Sequence, residues 1–468
     1  MKIRTSGRWV AALAACVAAV GHADVAAPPV RLRPITELKP LAVIALGETA
    51  DWVAITDDAV WSGSTGPFAL HRIDPKTNEH VATIKLAGEP CAGLAVGFDA
   101  VWVPLCTKPA SLARVDTKTN KVTTFKVGPV AAEGGIAVSG DSVWLATAKD
   151  ELARIDPGTG AVRQKIKVPA GSYNPMFADS RIWLTRADGK EVTSIDAVTG
   201  KVLASVPTDA GPRFLTSGGG AVWTLNQSRG SLTRVDPDAN KSETFPLGMS
   251  GHGGDVAFAN SMVWITLRRI PLAAVDAVNN RMVCEWIGDG GDSLRIGHGA
   301  IWLTDYDGGT ITRYDLNDAT TRCRLQSHGL VGTWKLLRYE DQLAAGGASV
   351  FPFGEHPVGQ LIYDADGNMS IQVMKIPHPK IASGDDEKVT PAEKQALYDA
   401  YVAYFGRYRV DDTRHVIVTD VQADLYDAFT GTTQERPYVL DGDTLKLVPE
   451  WESDGKKWRG VREFVRAK

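Results

Sequence analysis

Nowhere in this 468-residue chain is there an apolar run of the roughly 20 residues that a membrane-spanning helix needs. The run "WVAALAACVAAV" at 9 to 20 is 12 residues long. Lys2, Arg4 and Arg8 precede it and "GHAD" follows it, so residues 1–23 read as an export signal, placing the mature chain in the periplasm or outside the cell. A competing reading takes "LAAC" at 13 to 16 as a lipoprotein acylation box anchoring the chain at Cys16, but the apolar run continues past that cysteine.

Charge of one sign is also missing in bulk. The formal net charge is -4, and loss of Lys2, Arg4 and Arg8 moves it to -7. With no basic stripe and no long like-charge block, nucleic acid is excluded as a partner. No Ser-His-Asp arrangement, phosphate loop or H-x-x-x-H spacing stands out, so the sequence names neither a cofactor nor a reaction. Capped helical runs are missing from the first 326 residues, where the apolar periodicity is two.

What is present is repetition. Trp61, Trp102, Trp144, Trp183, Trp223, Trp264 and Trp302 are separated by 41, 42, 39, 40, 41 and 38 residues. Downstream of each comes an apolar residue followed by Asp: Asp74, Asp116, Asp156, Asp196, Asp236, Asp276 and Asp315. Four strands of five or six residues with their turns fill about 40 residues. The period therefore predicts seven four-stranded blades closed into a β-propeller over residues 41–326. On this reading the Trp packs blade against blade from the second strand, and the Asp closes a turn by accepting backbone N–H groups. The segment 41–46 aligns with the fourth strands and is expected to complete the last blade, leaving "TTRCRLQ" at 320–326 to compete for that edge or to lead onward.

Four cysteines remain after processing. Cys91 and Cys106 lie at the ends of one inner hairpin whose turn is Phe98-Asp99, which predicts a disulfide. Cys284 and Cys323 occupy equivalent outer-strand positions of adjacent units, where the rims splay beyond the roughly 7 Å Cα limit of a disulfide. Only a rearranged last blade would join them.

The texture changes after residue 327, to longer strands and one helix started by Thr390, Pro391 and Glu393 and leading into "AEKQALYDAYVAYF". Eight or so consecutive hairpin-linked strands suggest a closed barrel. The stretches "VGTWKL", with Gly332 and Trp334, "GQLIYDADGNMSIQVM" and "AYFGRYRV" make residues 330–468 resemble the bacterial lipocalin-like domain family. That resemblance implies enclosure of a small, largely apolar molecule, with Arg462 or Arg466 packed across Trp334. In repeat style the first half resembles the streptogramin-lyase-like propellers. This implies a His, a Glu and a magnesium ion at the mouth, where the corresponding positions here hold Asp292 and Asp305. The expected fold is all-β: a seven-bladed propeller followed by a lipocalin-like barrel with one helix.

Two sets of candidate residues follow. Loops converging on one face of the ring bring Glu89, Glu133, Asn174, Arg186, Arg213, His252, Asp255, Asp289, Asp292 and Asp305 to a mouth suited to a polar ligand. The same mixture is ordinary on a solvated rim. For a metal, Asp289, Asp292, Asp305 and Asp307 beside His252 are the best group. In the barrel, Tyr363, Tyr404, Tyr408, His415 and Arg436 are the ligand-binding candidates, with His415 as base and Arg436 as oxyanion partner if the barrel catalyses. The first reading is an exported binding protein with a small hydrophobic ligand in the barrel and a protein partner on the propeller. The alternative is a lyase or hydrolase at the propeller mouth, metal-assisted.

Overall fold

The computed structural model describes residues 32–249, 253–411 and 414–467. The expected export signal, Cys16 and His252 lie outside the described residues. Seven antiparallel sheets follow one another along the first half of the chain, each running from a hub strand to a rim strand. The first comprises Asp51–Ile55, Val60–Thr65, Phe68–Ile73 and His80–Lys85. Hub strands of successive blades touch all the way round, and Leu294–Gly297 of the seventh meets Asp51–Ile55 of the first.

The repeated tryptophans sit on the second strands and are fully buried. Burying an indole requires a partner for its N–H, and each finds one five residues upstream. Trp102 and Trp223 donate to the carbonyls of Gly97 and Gly218 at 3.0 Å, while Trp61 and Trp144 use the hydroxyls of Thr56 and Ser139. The outer side of several indoles is covered by an arginine, as Arg313 covers Trp302 at 5.2 Å. The repeated Asp closes its turn as expected: Asp156 accepts from the backbone N–H of Gly158 and Thr159 at 2.9 and 2.7 Å.

Ala42–Ala45 pairs antiparallel with Thr310–Asp315 and completes the seventh blade as its rim strand. With that edge taken, 320–326 neither competes for it nor forms a strand. Asp315 accepts from the N–H of Asp318 at 2.8 Å and caps a helix, α1, Leu316–Ser327. The helix folds back over the rim of the sixth blade and brings Cys323 to Cys284, with Cα atoms 4.9 Å apart in a disulfide. The expectation that these cysteines stand too far apart was wrong because it took 320–326 for a strand. Cys91 and Cys106 are also bonded, 5.7 Å apart at Cα, across a hairpin whose turn residues Phe98 and Asp99 both have positive φ. Blade six carries a further rim strand, Leu32–Pro34, running parallel to Arg281–Ile287.

Eight strands close the second half: Gly332–Leu343, Val358–Tyr363, Asn368–Met374, Tyr401–Asp411, Val416–Asp424, Thr433–Asp441, Thr444–Leu447 and Lys456–Arg466, the last pairing with the first from Trp334↔Arg466 to Leu343↔Trp458. Thr390 and Glu393 form a reciprocal capping box at the start of α2, Pro391–Asp399. That helix is shorter than "AEKQALYDAYVAYF" suggests, because Val402, Tyr404 and Tyr408 alternate toward the barrel core and are read out as strand.

Candidate functional site

One end of the barrel is a built floor. Trp334 is fully buried and its indole donates to Leu330 O at 2.8 Å. Arg466, of the two arginines considered, lies across it, 4.1 Å from the ring centroid, and donates to Val331 O and Gly329 O at 2.9 and 2.5 Å. Gly332 has φ +143, and a Cβ there would stand 2.7 Å from Arg466 Nη1. The G-x-W spacing is thus a steric requirement of the floor.

Of the barrel candidates, Tyr363 and Tyr408 belong to this floor end. Their rings are 4.5 Å apart, the Tyr408 hydroxyl donates to Asp364 O at 2.9 Å, and burial pushes both phenols up, so they stay neutral. Tyr404 is half-buried farther up, opposite Ile371, with its ring edge-on to Phe429. Arg436 is half-buried and donates to Gln434 Oε1 and Glu435 O. His415 is exposed in the loop before Val416–Asp424 and stacks on Tyr438 at 4.5 Å. His415 and Arg436 are therefore committed to different partners.

Sequence reading missed a second polar cluster. Arg462, nearly buried, places its guanidinium 3.5 Å from the Tyr339 ring centroid, 2.7 Å from Asp341 and within bonding distance of Glu340 O. Burial pushes the Tyr339 phenol up. Alternation from Trp334 and Leu336 would aim residues 338 and 340 inward. A bulge between Leu336 and Arg338 shifts the frame, so that Tyr339 faces Arg462 and Asp341 faces Gly460.

At the propeller mouth the structure gathers some candidates and separates others. Asp51, Glu89, Glu133, Arg213, Arg268, Asp292 and Tyr306 line one cavity of about 320 Å³. Asp289, Asp292 and Asp305 share an adjoining recess of about 490 Å³ with Arg268, Tyr306 and Asp307. Asp51 is buried and its carboxyl bonds that of Asp292; burial, then the Asp292 charge, holds it well above the usual carboxylate range. Arg213 stands 3.7 Å from Glu133, whose carboxyl burial also pushes up. Asp305 is spent on its own turn, accepting from Gly308 N at 3.1 Å, and Arg186 on the rim pairs with Glu191 at 2.9 Å. Asp255 is not at the mouth but deeper on the axis, fully buried and paired with Arg295. Among the described residues no three His, Cys, Asp or Glu side chains are placed to hold a metal ion, so the four-Asp group does not gather as a cage.

Asp51 was legible in principle. It and Asp292 both stand three residues before the hub residue that faces the blade tryptophan, Ala54 opposite Trp61 and Arg295 opposite Trp302.

Comparison with known proteins finds a family for the second half of the chain. Residues 331–465 match the family described as Lipocalin-like domain. A protein of Aspergillus oryzae named 4'-hydroxy-3'-methoxypropiophenone carrier protein is 37% identical over 91 residues, 17% of this chain and 77% of its own length. Among solved structures, BamB from Moraxella catarrhalis is 12% identical, with 60% of this chain and 100% of that one covered at a TM-score of 0.46. A streptogramin B lyase structure is 16% identical, with 58% and 96% covered at 0.49. Among the described residues, no helix is long and apolar enough to cross a membrane.

Proposed function

The chain belongs, through residues 331–465, to the lipocalin-like domain family, and from that premise we propose that it is an exported binding protein whose barrel holds a small, largely apolar molecule while the propeller serves as a platform for another protein. The observation that carries this reading is the closed barrel itself. Its inner face is apolar at Leu336, Leu361, Ile371, Val373 and Val402, and is interrupted by a few polar groups, Tyr339, Tyr404, Arg436 and Arg462. Pockets of that composition bind by apolar burial and orient by a handful of polar contacts. The related carrier is named for a phenolic aryl ketone. A ligand of that class would set its ring against Leu361 and Ile371 and offer its oxygens to Tyr404 and Arg436. The two disulfides support an oxidising compartment and hence export.

Native mass spectrometry of the full chain isolated from its exported fraction tests the reading. An organic molecule retained by the native protein and lost from Tyr404→Ala and Arg436→Ala variants is the expected result. A molecule retained equally by both variants, or no retained molecule together with no binding of phenolic aryl ketones, overturns it.

A second reading, acid–base chemistry at the propeller mouth, is favoured by one observation, the shared hydrogen bond of Asp51 and Asp292 between Arg213 and Arg268. With its carboxyl held well above the usual carboxylate range, Asp51 can keep a proton that an ordinary carboxyl would have lost and pass it to a substrate. Turnover of a polar substrate that disappears in Asp292→Asn would be its signature.

A further inference from the structure

Of the two arginines on the inner face of the barrel, only one is answered by a carboxylate. Arg462 pairs with Asp341 at 2.7 Å. Arg436 stands in Thr433–Asp441 opposite Ile417, on the strand face that Tyr438 and Leu440 turn to the barrel core. Its neighbour Glu435 takes the other face and pairs with Arg414 at 2.8 Å. Asp424, in register with Tyr404, is held by its own turn, accepting from Phe429 N at 3.3 Å. Among the described residues no carboxylate pairs with Arg436, and its hydrogen bonds, to Gln434 Oε1 at 3.3 Å and Glu435 O at 3.1 Å, both come from Nη1.

A charge taken out of water without a counter-charge is costly. What stays free on Arg436 is one edge of the guanidinium, since Nε and Nη2 have no partner among the described residues and keep accessible surface. The two N–H groups of that edge run parallel and match the two oxygens of a carboxylate. Tyr363 and Tyr404 add two more donors. Neither hydroxyl has a partner among the described residues, and both keep accessible surface as well. Burial, then the Tyr404 charge, pushes the Tyr363 phenol up while Arg436 pulls it down, so the three side chains share one interior space. One free positive charge there suits a singly charged carboxylate better than a phosphate dianion.

We propose that the molecule held in the barrel is an apolar carboxylic acid bound as its anion, with the free edge of Arg436 on both carboxylate oxygens and the Tyr363 and Tyr404 hydroxyls donating beside it. This inference rests on the reading of the barrel as a binding site and specifies the charge of the ligand's polar end. A neutral aryl ketone would use the same apolar walls but leave the guanidinium without a counter-charge, and so would bind more weakly.

The test is calorimetric titration of the full chain at neutral pH with cinnamate and with cinnamamide, which share one shape and differ in charge. Cinnamate should bind about tenfold more tightly than the amide, or better, and Arg436→Met should bring it down to the level of the amide. Should Arg436→Met not fold, Arg436→Lys is measured in its place. That variant keeps the charge and loses the two-pronged edge, so the preference should shrink without vanishing. Equal or reversed binding of the two probes by the natural chain, or a preference unchanged in the variant, overturns the carboxylate and leaves the barrel reading standing. Binding of neither probe overturns both.

Discussion

Cys284 and Cys323 are joined across a helix and a strand, the one on the rim of blade six and the other on α1, both fully buried against Trp264, Trp286 and Ala319. The bond fixes α1 at the point where the chain leaves the propeller. Next to the bond the same helix meets the barrel, Arg322 pairing with Asp366 and Leu325 joining the barrel core.

Opening that bond should loosen α1 as well as the sixth blade. The sequence separation is 39 residues, and closing a loop of that size in the unfolded chain is worth about 4 kcal/mol on the entropy model. Cys323→Ser should therefore cost on the order of 3 to 4 kcal/mol in chemical denaturation and raise amide exchange through 316–327. A variant with unchanged exchange in α1 would show that packing alone holds the helix.

The barrel floor predicts an ordering of two substitutions. Arg466→Met keeps an apolar stem over Trp334 but removes the bonds to Gly329, Val331 and Asp443, a loss of about 1 to 3 kcal/mol. Gly332→Ala should cost at least as much, since its Cβ meets Arg466 and its φ of +143 suits only glycine. Urea unfolding followed by Trp334 fluorescence would measure both, and a neutral Gly332→Ala would mean the floor relaxes freely.

The architecture was legible because the seven tryptophans obey one frame and each is buried in the same way. The helix at Leu316–Ser327 was not, because its decisive fact is remote: Ala42–Ala45 occupies the edge that 320–326 would otherwise have taken. Once that edge is filled, Asp315, which resembles six turn-closing aspartates, becomes a helix cap. In the barrel, a single bulge after Leu336 reverses the facing of everything downstream on that strand. Period-two reading cannot locate a bulge, so Tyr339 and Asp341 escaped it, and Arg462, expected as one of two arginines over Trp334, was not matched to them.

Tyr404 and Tyr408 should part company in function. The Tyr408 hydroxyl already donates to Asp364 O within the floor, so Tyr408→Phe should lower stability by about 1 kcal/mol and leave ligand affinity unchanged. Tyr404 is half-buried higher on the same strand, and Tyr404→Phe should weaken a phenolic ketone several-fold with little effect on stability. Calorimetric titration beside thermal melts separates the two, and the reverse assignment would move the ligand to the floor.

The last prediction concerns acid. His71 is buried in the first blade with Nε2 at 2.8 Å from the Ser64 hydroxyl and Nδ1 at 3.0 Å from His80 Nε2. Ser64 donates its own proton to Pro67 O at 2.5 Å, so it accepts from His71 Nε2–H. His71 Nδ1 is then the acceptor, facing an N–H of His80. Protonating it would set two N–H groups against each other in a buried site. Burial, with the His80 charge behind it, accordingly pushes His71 down from 6.5 to about 4. The folded state thus binds fewer protons than the unfolded chain between those values. Stability from this group is complete above pH 6.5 and is lost as the pH falls through 6.5 toward 4. At pH 4.5 the loss should be on the order of 2 to 3 kcal/mol relative to pH 7.5. Carboxylates also titrate in acid, so the measurement is a difference: unfolding free energy of the natural chain minus that of His71→Gln, at both pH values. That difference should shift by roughly 2 to 3 kcal/mol against the natural chain at the lower pH. Parallel pH profiles for the two proteins would mean that His71 accepts its proton inside the fold.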